Sequence, residues 1–397
     1  MDPTELRDII LNARQPYVVH NAHLPWDCFR QTFEEWCEMY DGIQRELIPF
    51  EGCSVESGST PQWECQRTKA KMRMSDLCKF NVNAKKRWNT FSYRNIHELP
   101  EACRRGINFA CFGFPEVDND ITFWISSAQA HTPCHYDTYG CNIVVQVYGR
   151  KSWILLPPEA KLKTLRVPFE ESSVYCEQNF YSPASFGSFA KVENHVYHII
   201  LEPGMALIVP PRWWHYVETL EPSLNFNTWL GVEDDVDAQI SECITKLLIQ
   251  DICNGETENV RKNIINPNED LSMSAHGIEE SFSILHYLML QKQSNKRQCM
   301  DIKRYPFGYL SNDVFNALIK HNASFIKPIQ HISPSAFFSI ISRNSLRYNP
   351  EIDDKTNRTI SNDEVEKLER LKKFINVCCN PELVNTIKTA LLNGDFK

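Results

Sequence analysis

No run of ~20 apolar residues occurs in this sequence, so nothing in it reads as a membrane-spanning helix. The amino-terminal MDPTELRDII carries early acids and lacks the basic-then-apolar layout of a secretion signal. A chain that stays inside the cell is expected, cytoplasmic with the nucleus as a second compartment. No Cys-x-x-Cys pair is present, and the 15 cysteines are odd in number and irregularly spaced. That argues against a disulfide framework and for reduced, mostly buried thiols. An excess of positive charge is missing too: the net charge is −8, which argues against a whole surface that binds nucleic acid. No internal repeat is evident. What is present is 397 residues with 42% hydrophobic and 23% charged side chains, the make-up of a soluble globular protein long enough for two domains.

One stretch organises the rest, AHTPCHYDTYGCNIVVQVYGRKSWILLP from Ala130 to Pro157. His135 and Asp137 lie two residues apart in a run with strand character. Side chains two apart on a strand share a face, so an imidazole and a carboxylate project together. Gly149-Arg150 predicts a hairpin turn joining a strand Asn142–Tyr148 to a strand Lys151–Leu156. A second imidazole, His215, arrives in the strand-like run Trp213–Thr219, and three ligands meet if that run pairs near the first. Two imidazoles and one carboxylate on one face of an octahedron leave three positions open, which suits non-haem Fe(II). Zinc prefers a tetrahedral site, more often with three protein ligands around one water. Thr132, Asn142 and Lys151 are polar groups on strands that otherwise bury apolar side chains. An inward Lys151 requires an anion to meet it, because an unpaired buried ammonium is costly.

Around this stretch the elements follow in order. Asp2 and Thr4 cap a short helix that stops before Gln15-Pro16; Pro16–Val19 reads as a strand and Phe33–Tyr40 as a second helix. Further strands are expected at Thr122–Ser127, Tyr197–Leu201, Met205–Val209 and Leu224–Leu230. Many short strands with Pro and Gly turns and no alternating helices point to an antiparallel sandwich or barrel. Pro157–Asn194 is a long insertion. After Gly231 the apolar period becomes helical, with helices expected from Val236 to Leu248, Gly277 to Leu290, Asn312 to Lys320 and Pro334 to Ile341. A polar linker Tyr348–Thr359 precedes a helix capped by Ser361 and Glu364 and a last helix opened by Pro381. The expected division is a β-rich domain over residues 1–255, its core about 90–250, and a helical region over 256–397. Between Gln66 and Arg87 basic residues gather, and Arg67, Lys69, Lys71 and Arg73 alternate onto one face of an extended segment. Such a stripe is either a contact for phosphate, RNA or an acidic peptide, or an edge strand charged against self-pairing; the edge strand is the commoner case.

Taken together, Thr132-Pro133-Cys134-His135-Tyr136-Asp137, Gly149-Arg150-Lys151, Leu155-Leu156-Pro157-Pro158, Pro203-Gly204, Val209-Pro210 and Trp213-Trp214-His215 resemble the JmjC family of Fe(II) and 2-oxoglutarate dioxygenases. The resemblance covers roughly residues 1–265 and gives the last third no role. It implies a mainly β core, a double-stranded β-helix of the jelly-roll or cupin type, with flanking N-terminal helices and a mainly α C-terminal region. It implies iron held by His135, Asp137 and His215, and the distal carboxylate of 2-oxoglutarate gripped by Lys151 and Thr132. Asn142 and Asn227 would line the same pocket, with Asn225 on the same strand face as Asn227. The implied activity consumes 2-oxoglutarate and dioxygen on Fe(II) and hydroxylates a protein side chain or an RNA base. Trp124, Trp153, Trp214 and Trp229 are candidates for an apolar wall. The implied partners are a protein substrate or a small heat shock protein. A binding protein of this fold that tethers such a partner with little turnover is the alternative. A histone demethylase is less favoured, because no zinc-finger reader is seen.

Overall fold

The computed structural model describes residues 1–20, 24–117, 119–164, 173–257, 260, 278–293, 304–357 and 362–394. The apolar runs become strands β1 (Tyr17–Val19), β2 (Ile48–Ser54), β3 (Thr68–Met72), β4 (Arg87–Asn95), β5 (Thr122–Ser126), β6 (His131–Asp137) and β7 (Cys141–Tyr148). They continue as β8 (Lys151–Leu156), β9 (Ser173–Tyr175), β10 (Tyr197–Leu201), β11 (Ala206–Val209), β12 (Trp214–Thr219), β13 (Ser223–Leu230) and β14 (Ile326–Pro328). Nine of them pair in the order β14-β1-β11-β7-β13-β5-β4-β2-β3 and five in the order β10-β8-β12-β6-β9. All these pairings are antiparallel.

Strand alternation sorts the apolar side chains into three layers. On β7, Cys141, Ile143, Val145 and Val147 face outward, into a core shared with Leu6, Ile9 and Ile10 of the helix Pro3–Ile10. Val144 of the same strand turns the other way and meets Trp153, Leu155 and Val217 of the small sheet, so the two sheets face each other. The outer face of the small sheet buries Ile154, Leu156, Trp214 and Tyr216 against Phe337 and Ile341 of the helix Pro334–Ser345. Each such fully buried side chain contributes roughly 1.5–3 kcal/mol relative to exposure. The N-terminal helix begins where Asp2 accepts a bond from the Thr4 amide at 2.9 Å. Helix Phe33–Ile43 begins at a capping box between Thr32 and Glu35.

Gly149-Arg150 does not close a hairpin. β7 lies between β11 and β13 in the large sheet, whereas β8 lies between β10 and β12 in the small one, so the chain turns a corner from one sheet to the other. Two buried strands separated by a tight glycine turn look the same in sequence whether the turn closes a hairpin or crosses a sandwich. The glycine itself is required: its φ is +64°, and a Cβ there would sit 2.2 Å from the Pro222 carbonyl oxygen. The insertion Pro157–Asn194 supplies β9, which pairs with β6, and the buried rings of Phe180, Tyr181 and Phe189.

The C-terminal third divides its loyalties. β14 extends the large sheet beyond β1, and Arg347 reaches back to Glu218 of β12 at 2.5 Å, so residues 326–347 pack on the β core that precedes the expected boundary at 255. Helices Asp235–Asn254, Ile278–Gln293 and Pro381–Asn393 instead form a cluster of their own around Ile240, Ile244, Leu285 and Val384. The expected linker Tyr348–Thr359 contains a helix, Pro350–Asn357, whose Asp353 accepts from the Ser59 amide at 2.7 Å. A polar composition marks solvent exposure, and an exposed helix tethered by one face satisfies it equally well. Ser361 and its expected cap lie outside the described residues. No helix among the described residues is long and apolar enough to cross a membrane.

Candidate metal centre and its pocket

His135 and His215 are register partners across β6 and β12, and Asp137 follows on the same face of β6. One ligand atom from each of the three lies within 4.8 Å of the others. His135 Nε2 is 3.5 Å from one Asp137 oxygen and His215 Nε2 is 4.0 Å from the other. The Nδ1 of each ring is 2.9 Å from a backbone carbonyl two residues earlier, Pro133 for His135 and Trp213 for His215. A carbonyl only accepts, so Nδ1 carries the proton and the Nε2 lone pair is left facing the carboxylate. Burial would raise the Asp137 carboxyl, but the His135 bond, the two imidazoles and the Trp229 indole outweigh it and lower it to about 2. Burial, reinforced by His135, pulls His215 down to about 4, so this imidazole is neutral at pH 7. Two imidazole Nε2 atoms aimed at one carboxylate fit a divalent metal ion.

Thr132 is three residues before His135, an offset that places it on the opposite face of a regular strand. The strand is not regular there. Thr132 pairs with Val217 while His135 pairs with His215, so three steps on β6 match two on β12 and a bulge turns Thr132 inward. A cavity of about 50 Å³ is lined by Thr132, His135, Asp137, Asn142, Lys151, His215 and Asn227, together with Trp124, Trp153 and Trp229. Lys151 is buried and donates to the Asn225 side-chain oxygen at 2.5 Å. Burial depresses its ammonium to about 7. On the facing wall a relay of amides and indoles reaches the metal ligand. Trp124 Nε1 donates to Asn227 at 2.7 Å, Asn227 to Asn142 at 3.0 Å and Asn142 to Asp137 at 3.5 Å, while Trp229 Nε1 donates directly to Asp137 at 2.8 Å.

Trp214 is not part of this wall. As the neighbour of His215 on a strand it points to the outer face, where its ring meets Tyr136 at 4.6 Å. Arg67 leaves the expected basic stripe: its guanidinium lies 5.4 Å above the Trp88 ring, and its side chain is 6% exposed beside Glu64. Lys69, Lys71 and Arg73 remain exposed on or beside β3, the edge of the large sheet. Two aromatic groups escaped the sequence reading. Tyr175 of β9 stacks on His135 with centroids 5.1 Å apart, and Tyr93 packs against Trp124 at 5.7 Å and Trp229 at 5.9 Å. Tyr175 sits in the long insertion, where no periodic signal marks it. Tyr93 lies within a bulge that strand alternation does not foresee.

Two antiparallel sheets closed over a His-Asp-His set define the cupin-type architecture of the JmjC proteins. The family model for the cupin-like domain matches residues 3–235, and the chain belongs to that family. Among characterised proteins it is similar to HSPB1-associated protein 1 of Bos taurus, 32% identical over 307 residues, which are 72% of this chain and 61% of that relative. The zebrafish (Danio rerio) HSPB1-associated protein 1 homolog is 29% identical over 344 residues, 81% of this chain and 74% of its own. A shorter match, 33% identical over 112 residues, joins 28% of this chain to 27% of the Drosophila melanogaster Jumonji C domain-containing protein 5. The chain spans about three fifths of the bovine relative, as the 61% coverage shows.

Proposed function

We propose that this protein is an Fe(II)- and 2-oxoglutarate-dependent oxygenase that hydroxylates a protein side chain. The observation that carries the reading is the opening of the His135, Asp137 and His215 donors and the buried Lys151 ammonium into one cavity. Bound Fe(II), 2-oxoglutarate and dioxygen supply an oxidant for an unactivated C–H bond, with succinate and carbon dioxide as by-products. The protein's own side chains do the rest. His135 and His215 would hold the metal through Nε2 and Asp137 through a carboxylate oxygen. Lys151, steadied by Asn225, would meet the distal carboxylate of the cosubstrate, and the Thr132 hydroxyl would add a hydrogen bond. Trp229, by its bond to Asp137, would keep that carboxylate available to the metal, and Asn142 and Asn227 fix the wall behind it. Trp124 and Trp153 limit the entry of water.

The test is succinate formation from 2-oxoglutarate by purified protein supplied with Fe(II) in air, with His135→Ala as the control. Turnover lost in the variant supports the reading; no succinate above the variant's level from the parent protein refutes it. The names of the bovine and zebrafish relatives favour a second property, association with a small heat shock protein. If His135→Ala still binds such a partner, the association does not depend on the metal centre.

A further inference from the structure

We infer that the face of the large sheet running from the pocket mouth across β4 and β2 to β3 is the docking surface for an acidic, extended polypeptide. The face is traced by register. Ser126 of β5 bonds Thr219 of β12 at 2.9 Å, so this side of β5 looks toward the small sheet and the pocket. Ser126 pairs with Thr90 of β4, Thr90 with Glu51 of β2, and Glu51 with Lys69 of β3. Residues directly opposite in antiparallel strands share a face, so Lys69 lies on the pocket side. Lys71, two residues on, lies there too, opposite Pro49 and displaced toward the end of β4 that carries Tyr93.

Tyr93 marks the mouth. It has φ +57°, a conformation that non-glycine residues seldom adopt, at the point where the β4–β5 register shifts between Phe91 and Arg94. The bulge sets the ring against Trp124 and Trp229, which line the cavity, while leaving the tyrosine 65% exposed. An exposed aromatic held in a strained backbone at a cavity mouth is placed to contact what enters. Beyond it the surface turns basic. Lys69, Lys71 and Arg73 are exposed, and no salt bridge among the described residues engages any of the three.

An edge strand needs some charge to discourage self-pairing, but that need is met on either face. Here Lys69 and Lys71, engaged in no salt bridge among the described residues, share the face of the pocket, in a chain whose net charge is −8. A protein partner suits this surface better than a nucleic acid, because Lys69 and Lys71 sit on one strand and the chain as a whole is acidic. From β5 to β3 is three strand spacings, about 14 Å, which an extended peptide covers in about four residues. The metal donors lie beyond β5 on the small sheet, so the acidic residues are expected at least about four positions from the side chain presented to the metal. The inference rests on the oxygenase reading only for what then happens to that side chain; capture of the peptide does not.

The test is selection from a random dodecapeptide library by immobilised full-length protein, with captured sequences read by mass spectrometry. A double variant, Lys69→Gln/Lys71→Glu, avoids setting a new acid opposite Glu51, and Tyr93→Ala is selected in parallel. The parent protein is expected to enrich Asp and Glu at least twofold over the input. The double variant is expected to lose that enrichment, and Tyr93→Ala to recover several-fold less peptide. Equal acid content in the pools from parent and double variant overturns the proposal. So does capture of a random single-stranded RNA pool by the parent with no acid enrichment among peptides, which would make the face a nucleic-acid contact. Succinate formation without added substrate, measured on the same preparations, reports the pocket separately. Its absence beside acid enrichment would sink the oxygenase reading alone, and its presence without enrichment would sink this inference alone.

Discussion

His135 and His215 stand directly opposite each other on neighbouring strands, with ring centroids 4.2 Å apart, although β7 to β11 intervene in the chain. Cross-strand pairing, rather than a loop, therefore sets the spacing of the two imidazoles. A scaffold of that kind holds its donors before any metal arrives. Replacing His215 by Ala should lower affinity for Mn(II), a redox-silent stand-in for Fe(II), by about 100-fold or more, the upper limit for losing a mere outer partner. Calorimetric titration of the two proteins checks it, and affinity unchanged within twofold would remove His215 from the ligand set.

Trp229 acts on the same donor set through Asp137. Trp229→Phe keeps the aromatic bulk and deletes the 2.8 Å donor to the carboxylate, so Mn(II) affinity should fall about tenfold, with little change in thermal stability. Trp124→Phe deletes a donor to Asn227 instead and should leave metal affinity nearly unchanged. If the two variants behave alike, the indole at 229 is only packing.

Lys151 should make cosubstrate binding depend on pH. Burial lowers its ammonium to about 7, and the charged form is the one that attracts a carboxylate. Affinity of the Mn(II) protein for 2-oxoglutarate should therefore be flat below pH 7 and fall about tenfold per pH unit above it. The decline should stop once the pH passes the higher value that the bound anion gives the lysine. Lys151→Met should bind weakly at every pH and show no such slope. A slope that survives in Lys151→Met would belong to another group.

Arg347 and Glu218 form a largely buried pair, with side chains 15% and 5% exposed, and the guanidinium also lies 4.3 Å from the Tyr181 ring. Arg347→Ala strands the carboxylate on β12, three residues from His215. Loss of one partner of such a pair costs about 3–5 kcal/mol, to be read as a lower urea midpoint. The double change Arg347→Met/Glu218→Met should cost less, because no charge is left unpaired. Equal losses in both would show that the pair acts through packing alone.

His-x-Asp on a strand was legible because alternation is local: β6 carries its two donors on one face whatever the remainder of the fold does. Lys151 was legible for the same reason, as a cation in a run that is otherwise apolar. The corner at Gly149-Arg150 was not, since a two-residue glycine turn is compatible with both a hairpin and a crossing between sheets. Thr132 faces the cavity only because of a bulge, and Tyr93 reaches the mouth only because of another. Each bulge comes from register with another strand, β12 for Thr132 and β5 for Tyr93, which alternation within one strand does not include. Arg67 was misplaced because alternation cannot see the Trp88 ring that draws it inward.

By itself, then, the order of residues determined where the strands around the site and several of the helices begin, which side chains share a strand face, and which chemical groups a metal would find. Those properties depend on neighbours a few positions away. Tertiary structure alone decided that His215 meets His135, that Asn225 steadies Lys151, and that β14 and the helix Pro334–Ser345 complete the β core. Sheet order and register are properties of distant segments, fixed by which apolar faces can be buried together, and no local pattern encodes that choice.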